Sequence, residues 1–405
     1  MDEVVTAPAA LLVASDAENL QRRVCGMSVL SRLVCSLDRA SAGVHVAVVP
    51  GFAHDVLDEA KRAVAARPKL PRVYWGGGLG AIAPERGLLI ALRPAVIDHR
   101  ICQALTAEPD AVVRFRRGGE TVLWLVGPEH AANILAAVRG RSDLAAALES
   151  QLEQLPGRDV DAGADLCEPV DAGTDMGALE EKLIHLGRKA SDTWIAKIFD
   201  RRISLFFSRR LLPFDITPNQ ITFGATAIGL LGALLLGAGT YWSQLLGALL
   251  LTFAIIVDGC DGELARIKYL DSDFGRKLDF FLDNVVNVAS IFAVGAGHYW
   301  QGGPFFYLWA SAINATAALA SVFPVYWLFF RNNKESVRPG AVATESRDNS
   351  WLAFAEDISG RDFAYAILAL AVIGRAYWFT IFALFGLTIF FLLVLGLMLQ
   401  KMRRA

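Results

Sequence analysis

Residues 257–284, whose sequence is VDGCDGELARIKYLDSDFGRKLDFFLDN, contain six aspartates, of which four are spaced in two pairs. Asp258 and Asp261 are three residues apart, and Asp279 and Asp283 are four apart, so each pair would lie on one face of a helix. Clustered carboxylates repel one another, and they persist together when a positive charge neutralises them. Carboxylate oxygens are hard ligands that suit Mg²⁺ or Mn²⁺. The pattern therefore predicts a site for two divalent ions that bind a phosphoryl group.

The residues between these aspartates add a second chemical feature. Gly262 and Gly275 have no side chain, which would let a bulky ligand approach the backbone. Arg266 is suited to binding a phosphate oxygen through two parallel hydrogen bonds. The alternative is a structural cluster, in which the acids pair with the basic residues of the same stretch, namely Arg266, Lys268, Arg276 and Lys277.

Long uncharged runs on both sides of this stretch predict the helices that carry it. No Asp, Glu, Lys or Arg occurs in the 41 residues from 217 to 257, in the 47 from 284 to 330 or in the 25 from 376 to 400. A helix needs about 20 apolar residues to cross a bilayer. The aspartates would lie at the ends of the second and third of these helices. The six predicted transmembrane spans are near 219–239, 243–268, 275–297, 305–330, 360–374 and 377–400.

Basic residues gather on one side of the predicted spans. They precede the first span, follow the sixth, and fill the connections between the second and third and between the fourth and fifth. Because positively charged loops stay in the cytoplasm, both termini and the aspartates are predicted to be cytoplasmic, in an inner-membrane protein. Residues 192–212 alternate apolar and basic residues at helical spacing, which predicts an amphipathic helix in the membrane interface. A linker helix packed against protein is the alternative.

The first 155 residues have the pattern of a cytosolic α/β domain. Residues 156–178 are rich in Gly, Ala and Asp without periodicity, which predicts a linker to a membrane domain at 179–405. The predicted strands are 10–14, 44–49, 72–75, 88–92, 112–115 and 121–126, and the predicted helices are 27–40, 53–66 and 129–139.

Composition narrows the classes of function. Lys+Arg 39 against Asp+Glu 41 gives a net charge of −2, which excludes a strongly basic nucleic-acid binder. Five irregularly spaced cysteines give no disulfide framework. Transporters place acids near the bilayer midplane and often have repeated halves. Here the acids lie near one interface and the halves differ, so an enzyme is favoured over an ion-coupled transporter or a scaffold.

The order D-x2-D-G-x2-A-R-x8-G-x3-D-x3-D resembles the signature of the CDP-alcohol phosphotransferases. All eight fixed residues are present at the family's spacing, including Ala265. The six spans and the helix before them also resemble this family, so the resemblance covers residues 190–400. It implies an enzyme that transfers a phosphoalcohol unit from a CDP-alcohol to an acceptor alcohol and releases CMP.

The resemblance also implies roles for individual residues. Asp258, Asp261 and Asp279 would hold two Mg²⁺ or Mn²⁺ ions. Asp283 would be a further ligand, or the base that takes the acceptor's proton. The residues around the CDP moiety would be Gly262, Ala265, Arg266 and Gly275, together with a Thr-Pro-Asn element at Thr217, Pro218 and Asn219. That element is also a usual helix start, and both interpretations are compatible.

The donor alcohol and the acceptor are left open by the sequence. The acceptor is either a polyol phosphate, as in inositol-type members of the family, or a lipid-linked alcohol. We also expect a homodimer in contact with membrane lipids.

An α/β domain ahead of such a membrane domain is similar to the di-myo-inositol-phosphate-phosphate synthase type, whose first domain is an active or a degenerate cytidylyltransferase. An active one needs a Gly-rich loop after the first strand, but residues 15–23 contain no glycine. Arg93 and Pro94 follow strand 88–92, where the family would place a metal-binding aspartate, and Asp98 is the nearest acid. We expect a nucleotidyltransferase-like but inactive domain; a bifunctional enzyme that makes its own CDP-alcohol is the alternative.

Overall fold

The computed structural model describes residues 7–404 apart from 68–72, 77–78, 84, 86, 102–111, 142, 162–165, 187–200 and 329–361. The chain divides into two units. Unit 1 consists of Met1–Arg188 together with Arg266–Leu270, and unit 2 consists of Lys189–Ala265 and Asp271–Ala405. Unit 1 therefore includes five residues from the membrane half of the sequence.

Unit 1 is built on a mixed seven-stranded sheet. Its strands are β1 (Ala9–Ala14), β4 (Val44–Val48), β5 (Val73–Trp75), β6 (Leu88–Ala91), β8 (Val113–Arg117), β9 (Glu120–Val126) and β10 (Arg158–Asp161). Two short antiparallel pairs join β2 (Arg23–Val24) to β3 (Met27–Ser28) and β7 (Ala95–Ile97) to β11 (Cys167–Pro169). The helices are α1 (Ala17–Gln21), α2 (Val29–Asp38), α3 (His54–Ala65), α4 (Pro128–Val138), α5 (Leu144–Glu153) and α6 (Met176–Leu186).

The strand order is β10–β8–β9–β6–β1–β4–β5. Strands β1, β4, β5 and β6 run parallel, whereas β9 is antiparallel to both β6 and β8. All residues of β1 and β6 are buried, which is why these central strands are continuous apolar runs. The α/β prediction for the N-terminal half is confirmed.

Residues 156–178 differ from the predicted linker. Strand β10 pairs with β8 in the main sheet, β11 pairs with β7, and unit 1 continues through α6. Ion pairs hold these polar strands, with 3.0 Å between Arg114 and Asp159 and 2.8 Å between Arg117 and Glu168. Because charges rather than alternating apolar residues stabilise the pairing, the sequence pattern of a strand is missing.

Unit 2 is helical. Its helices are α7 (Arg201–Leu211), α8 (Pro218–Gly237), α9 (Tyr241–Ile267), α10 (Asp273–Trp300), α11 (Phe306–Tyr326), α12 (Asp362–Val372) and α13 (Trp378–Arg404). Five of the described helices, namely α8 to α11 and the Trp378–Gln400 part of α13, are long and apolar enough to cross a bilayer. The protein is therefore an integral membrane protein.

Two predicted helices lie only partly within the described residues. Among these residues, the predicted span at 360–374 contains α12, whose 11 residues extend about 16 Å, compared with a bilayer core of about 30 Å; residues 329–361, directly before it, lie outside the described part of the chain. A sixth span stays a prediction. Helix α7 occupies the second half of the predicted interfacial helix, and residues 192–200 lie outside the described residues.

Close packing between α8 and α9 depends on glycine. A Cβ atom on Gly232 would lie 2.8 Å from the Gly247 carbonyl oxygen, and one on Gly247 would lie 2.6 Å from the Gly232 carbonyl oxygen. Such contacts let membrane helices approach each other at their backbones. Leu236, Leu251 and Val294 then join α8, α9 and α10 in one buried cluster, which supports the helices that carry the aspartates.

Candidate metal and nucleotide site

Three of the four aspartates meet at one point. One carboxylate oxygen each from Asp258, Asp261 and Asp279 lies within 4.8 Å of the other two. Asp258 and Asp261, on α9, are only 8% and 9% exposed, and Asp279, on α10, is half-buried. Asp283, one turn further along α10, is exposed and does not belong to this group.

A threonine from α8 approaches the cluster. The Thr222 hydroxyl lies within hydrogen-bonding distance of Asp261 Oδ2 and also 3.1 Å from the Pro218 carbonyl oxygen. A hydroxyl has one proton, so it donates to one of these acceptors at a time. When it donates to Asp261, it orients that carboxylate. The only feature of the sequence that could have indicated this role is a polar residue one turn into an apolar helix.

A second contact that sequence reasoning missed fixes α7 against α9. Glu263 is 7% exposed, and its two carboxylate oxygens accept hydrogen bonds from Ser204 Oγ at 2.9 Å and Ser208 Oγ at 2.7 Å. The two serines are four residues apart, on one face of α7. The four-residue spacing of the serines is the feature of the sequence that could have indicated this contact. Glu263 follows Gly262 in the motif, so α7 is held beside the aspartates.

The predicted nucleotide element lies beside Gly275. A Cβ atom on Gly275 would lie 3.2 Å from Asn219 Oδ1 and 3.0 Å from Ser272 Oγ. Ser272 caps α10, because its hydroxyl accepts a hydrogen bond from the Gly275 amide at 2.9 Å. Because Gly275 has no side chain, the start of α8 can lie close to the first turn of α10.

The Thr-Pro-Asn element starts a helix. Pro218 is the first residue of α8, and the Thr217 amide donates to Gln220 Oε1 at 2.9 Å. Gly262 and Ala265 are half-buried and Arg266 is exposed. Contact of these residues with a nucleotide stays a prediction.

The donor set fits a hard divalent cation. Within the described residues, the group contains three carboxylates and neither His nor Cys, the ligand chemistry of Mg²⁺ or Mn²⁺. Such an ion would offset the repulsion among three acids held this closely. Asp258, Asp261 and Asp279 are therefore the residues that would hold it.

Residues 215–344, which include the whole aspartate stretch, match the family model of the CDP-alcohol phosphatidyltransferases. The chain therefore carries a CDP-alcohol phosphatidyltransferase domain. It is similar to three proteins named bifunctional IPC transferase and DIPP synthase, from Aquifex aeolicus (32% identical over 126 residues), Rubrobacter xylanophilus (33% over 130) and Archaeoglobus fulgidus (31% over 160). The alignments cover 31, 32 and 39% of this chain but only 28, 29 and 30% of those relatives.

We predict that Asp279→Asn weakens Mn²⁺ binding about tenfold or more, because it removes a ligand charge without changing side-chain shape. Asp273→Asn, an exposed residue of the same helix outside the group, is the control and should bind Mn²⁺ as the wild type does. Electron paramagnetic resonance of free Mn²⁺ measures both. Equal affinities in the two variants would show that the cluster is not a metal site.

Proposed function

We propose that this protein is a divalent-metal-dependent CDP-alcohol phosphotransferase of the membrane, acting in phospholipid or polyol-phosphate synthesis. The observation that carries the proposal is the group of three carboxylates from Asp258, Asp261 and Asp279, which lies inside the segment that matches the family model. The cytoplasmic position of the site and both termini, the inner membrane and a homodimer are parts of the same proposal, supported by the distribution of basic residues and by the family resemblance.

The reaction is a displacement at phosphorus. The acceptor's hydroxyl oxygen forms a bond to the phosphorus that carries the donor's alcohol. The bond between that phosphorus and the bridging oxygen of the diphosphate breaks, and CMP leaves with the electron pair. The acceptor's proton passes to a base, and Asp283 is the candidate, because it is exposed and lies one turn from Asp279.

The remaining residues orient the donor and its charge. A bound Mg²⁺ or Mn²⁺ would neutralise negative charge on the diphosphate. Arg266 is proposed to bind a phosphate oxygen. The other residues proposed to surround the nucleotide are Gly262, Ala265, Gly275, Thr217, Pro218 and Asn219, and the proximity of Asn219 to Gly275 supports grouping the last four.

An apolar cavity in unit 2 favours a lipid-linked acceptor over a soluble polyol phosphate. The cavity has a volume of about 290 Å³ and is lined by α10, α11, α12 and α13, with no charged residue among its lining side chains. Asn284, which follows Asp283, lines it. Two lining residues of α13, Phe382 and Gly386, are exposed, so the cavity opens on the surface of a strongly apolar helix with mean hydropathy 2.7. An acyl or isoprenoid chain fits such a lining.

In unit 1, the residues that follow β1 and β6, where a cytidylyltransferase would bind CTP, are engaged in other interactions. Strand β1 leads to Asp16, whose carboxylate caps α1 by accepting from the Asn19 amide at 3.1 Å. Arg93, after β6, forms ion pairs of 2.9 Å with both Glu120 and Glu149. Asp98 is bound by Arg100 at 2.6 Å; although burial alone would raise the pKa of Asp98, its bonds to Arg100 and the nearby His99 lower it overall. We propose that unit 1 has no cytidylyltransferase activity.

The first test is CMP release by the purified full-length protein, supplied with CDP-inositol or CDP-diacylglycerol and a panel of acceptors in the presence of Mg²⁺. Arg266→Lys keeps the charge but loses the planar pair of donors, so the donor KM should rise about tenfold, with a smaller change in kcat. Arg276→Lys is the matched control. No CMP release from any donor by the wild type would refute the proposed function.

A second test separates the two classes of acceptor. A Cβ atom on Gly386 meets no atom within 4 Å, so Gly386→Leu should fill part of the cavity without a clash. We expect it to lower turnover of a lipid-linked acceptor about tenfold, whereas Gly396→Leu, on the same helix but outside the cavity lining, should not. CMP release with soluble polyol phosphates alone would contradict a lipid acceptor.

A third test concerns unit 1. The full-length Asp279→Asn variant, in which the transferase should be inactive, is incubated with CTP, Mg²⁺ and sugar or polyol phosphates. We expect no pyrophosphate above a control without enzyme, because backbone amides that could bind a triphosphate are not presented by a glycine-rich loop after β1. Pyrophosphate release would instead make the protein bifunctional.

A further inference from the structure

Residues 266–270, which comprise the last two residues of α9 and the start of its connection to α10, belong to unit 1. Helix α9 ends at Ile267, and Tyr269 follows with a φ of 57°. This left-handed conformation is common for glycine after a helix but unfavourable for a bulky side chain. A bulky residue keeps this backbone conformation only when contacts with its surroundings hold it in place.

The Tyr269 side chain is anchored in the core of unit 1. It is 6% exposed, and its hydroxyl lies 2.7 Å from Ser36 Oγ. Ser36 in turn donates its only hydroxyl proton to the Ile97 carbonyl oxygen at 2.7 Å, so Tyr269 must be the donor to Ser36. Burial raises the pKa of Tyr269, which keeps that proton in place. The guanidinium of Arg39 lies 4.6 Å from the centre of the ring, within range of a cation–π interaction.

Two arginines of unit 1 bind the backbone of the same segment. Arg32, only 1% exposed, donates from Nη1 to the Ile267 carbonyl oxygen at 2.9 Å, and Arg67 donates from Nε to the Lys268 carbonyl oxygen at 3.2 Å. Carbonyl groups at the end of a helix have no partner within the helix and carry partial negative charge. These arginines therefore cap the end of α9.

We propose that Tyr269 is a positioning residue for the aspartate cluster, and that unit 1 acts through it on the transferase site. Asp261 lies six residues before Ile267 on the same helix, about 9 Å along its axis. Asp279 lies on the helix that begins four residues after Tyr269. Fixing the connecting segment restricts the end of α9 and the start of α10, and so restricts how the carboxylates of the two helices can meet. This inference rests on the proposed function.

The test compares Mn²⁺ affinity in full-length variants by electron paramagnetic resonance. Tyr269→Ala should bind Mn²⁺ about tenfold more weakly, and Tyr269→Phe, which keeps the ring and loses one hydrogen bond, about threefold more weakly. Ser36→Ala should bind Mn²⁺ at least as weakly as Tyr269→Phe, because it also removes the bond to the Ile97 carbonyl oxygen, and the double variant should be no weaker than Ser36→Ala, in which the bond to Tyr269 is already lost. Tyr74→Ala, an exposed tyrosine of unit 1, is the control.

A purely structural role would lower yield or melting temperature and leave the Mn²⁺ affinity of the folded protein unchanged. Wild-type affinity in folded Tyr269→Phe and Ser36→Ala protein would therefore overturn the inference, as would failure of the wild type to bind Mn²⁺. If the wild type binds Mn²⁺ and the variants bind it more weakly, the positioning role is supported even where CMP is not released. Absence of CMP release would then count against the transferase proposal alone.

Discussion

Repulsion among three closely spaced carboxylates is the constraint on which the site depends. Three carboxylates whose oxygens lie within 4.8 Å of one another repel each other, and helices free to adjust would move apart. The fold opposes that movement on each side. Glycine contacts hold α8 against α9, Ser272 caps α10, and the start of α8 lies against Gly275. The three carboxylates are thus held together by the packing of the helices around them.

Neighbouring acids in the motif have different chemistry because their partners differ. Glu263 has both oxygens bonded to serines of α7, so its charge is already solvated by protein and it serves as an attachment point. Asp261, two residues earlier, is approached by one threonine and by the two other acids. The same residue class therefore supplies an anchor for α7 at Glu263 and, two residues earlier, a member of the carboxylate group at Asp261.

Much of this organisation could be predicted from the sequence because it depends on local patterns. Uncharged runs indicate membrane helices, continuous apolar runs such as residues 9–14 indicate buried strands, and the spacing of the aspartates indicates a shared helical face. The polar strand β10 and the anchors at Glu263 and Tyr269 depend on partners far away in the sequence, which a pattern cannot identify.

Unit 1 is formed by two separate segments of the chain, and this implies an order of events during biosynthesis. The ribosome completes Arg188 well before it reaches Arg266, which lies 78 positions further along the chain. At usual rates of translation, that interval is about 4 to 16 s, long compared with the folding time of many small domains. The pocket for Tyr269 can therefore be complete before the tyrosine is made. The segment between α9 and α10 would then meet an already folded unit 1 when it leaves the ribosome.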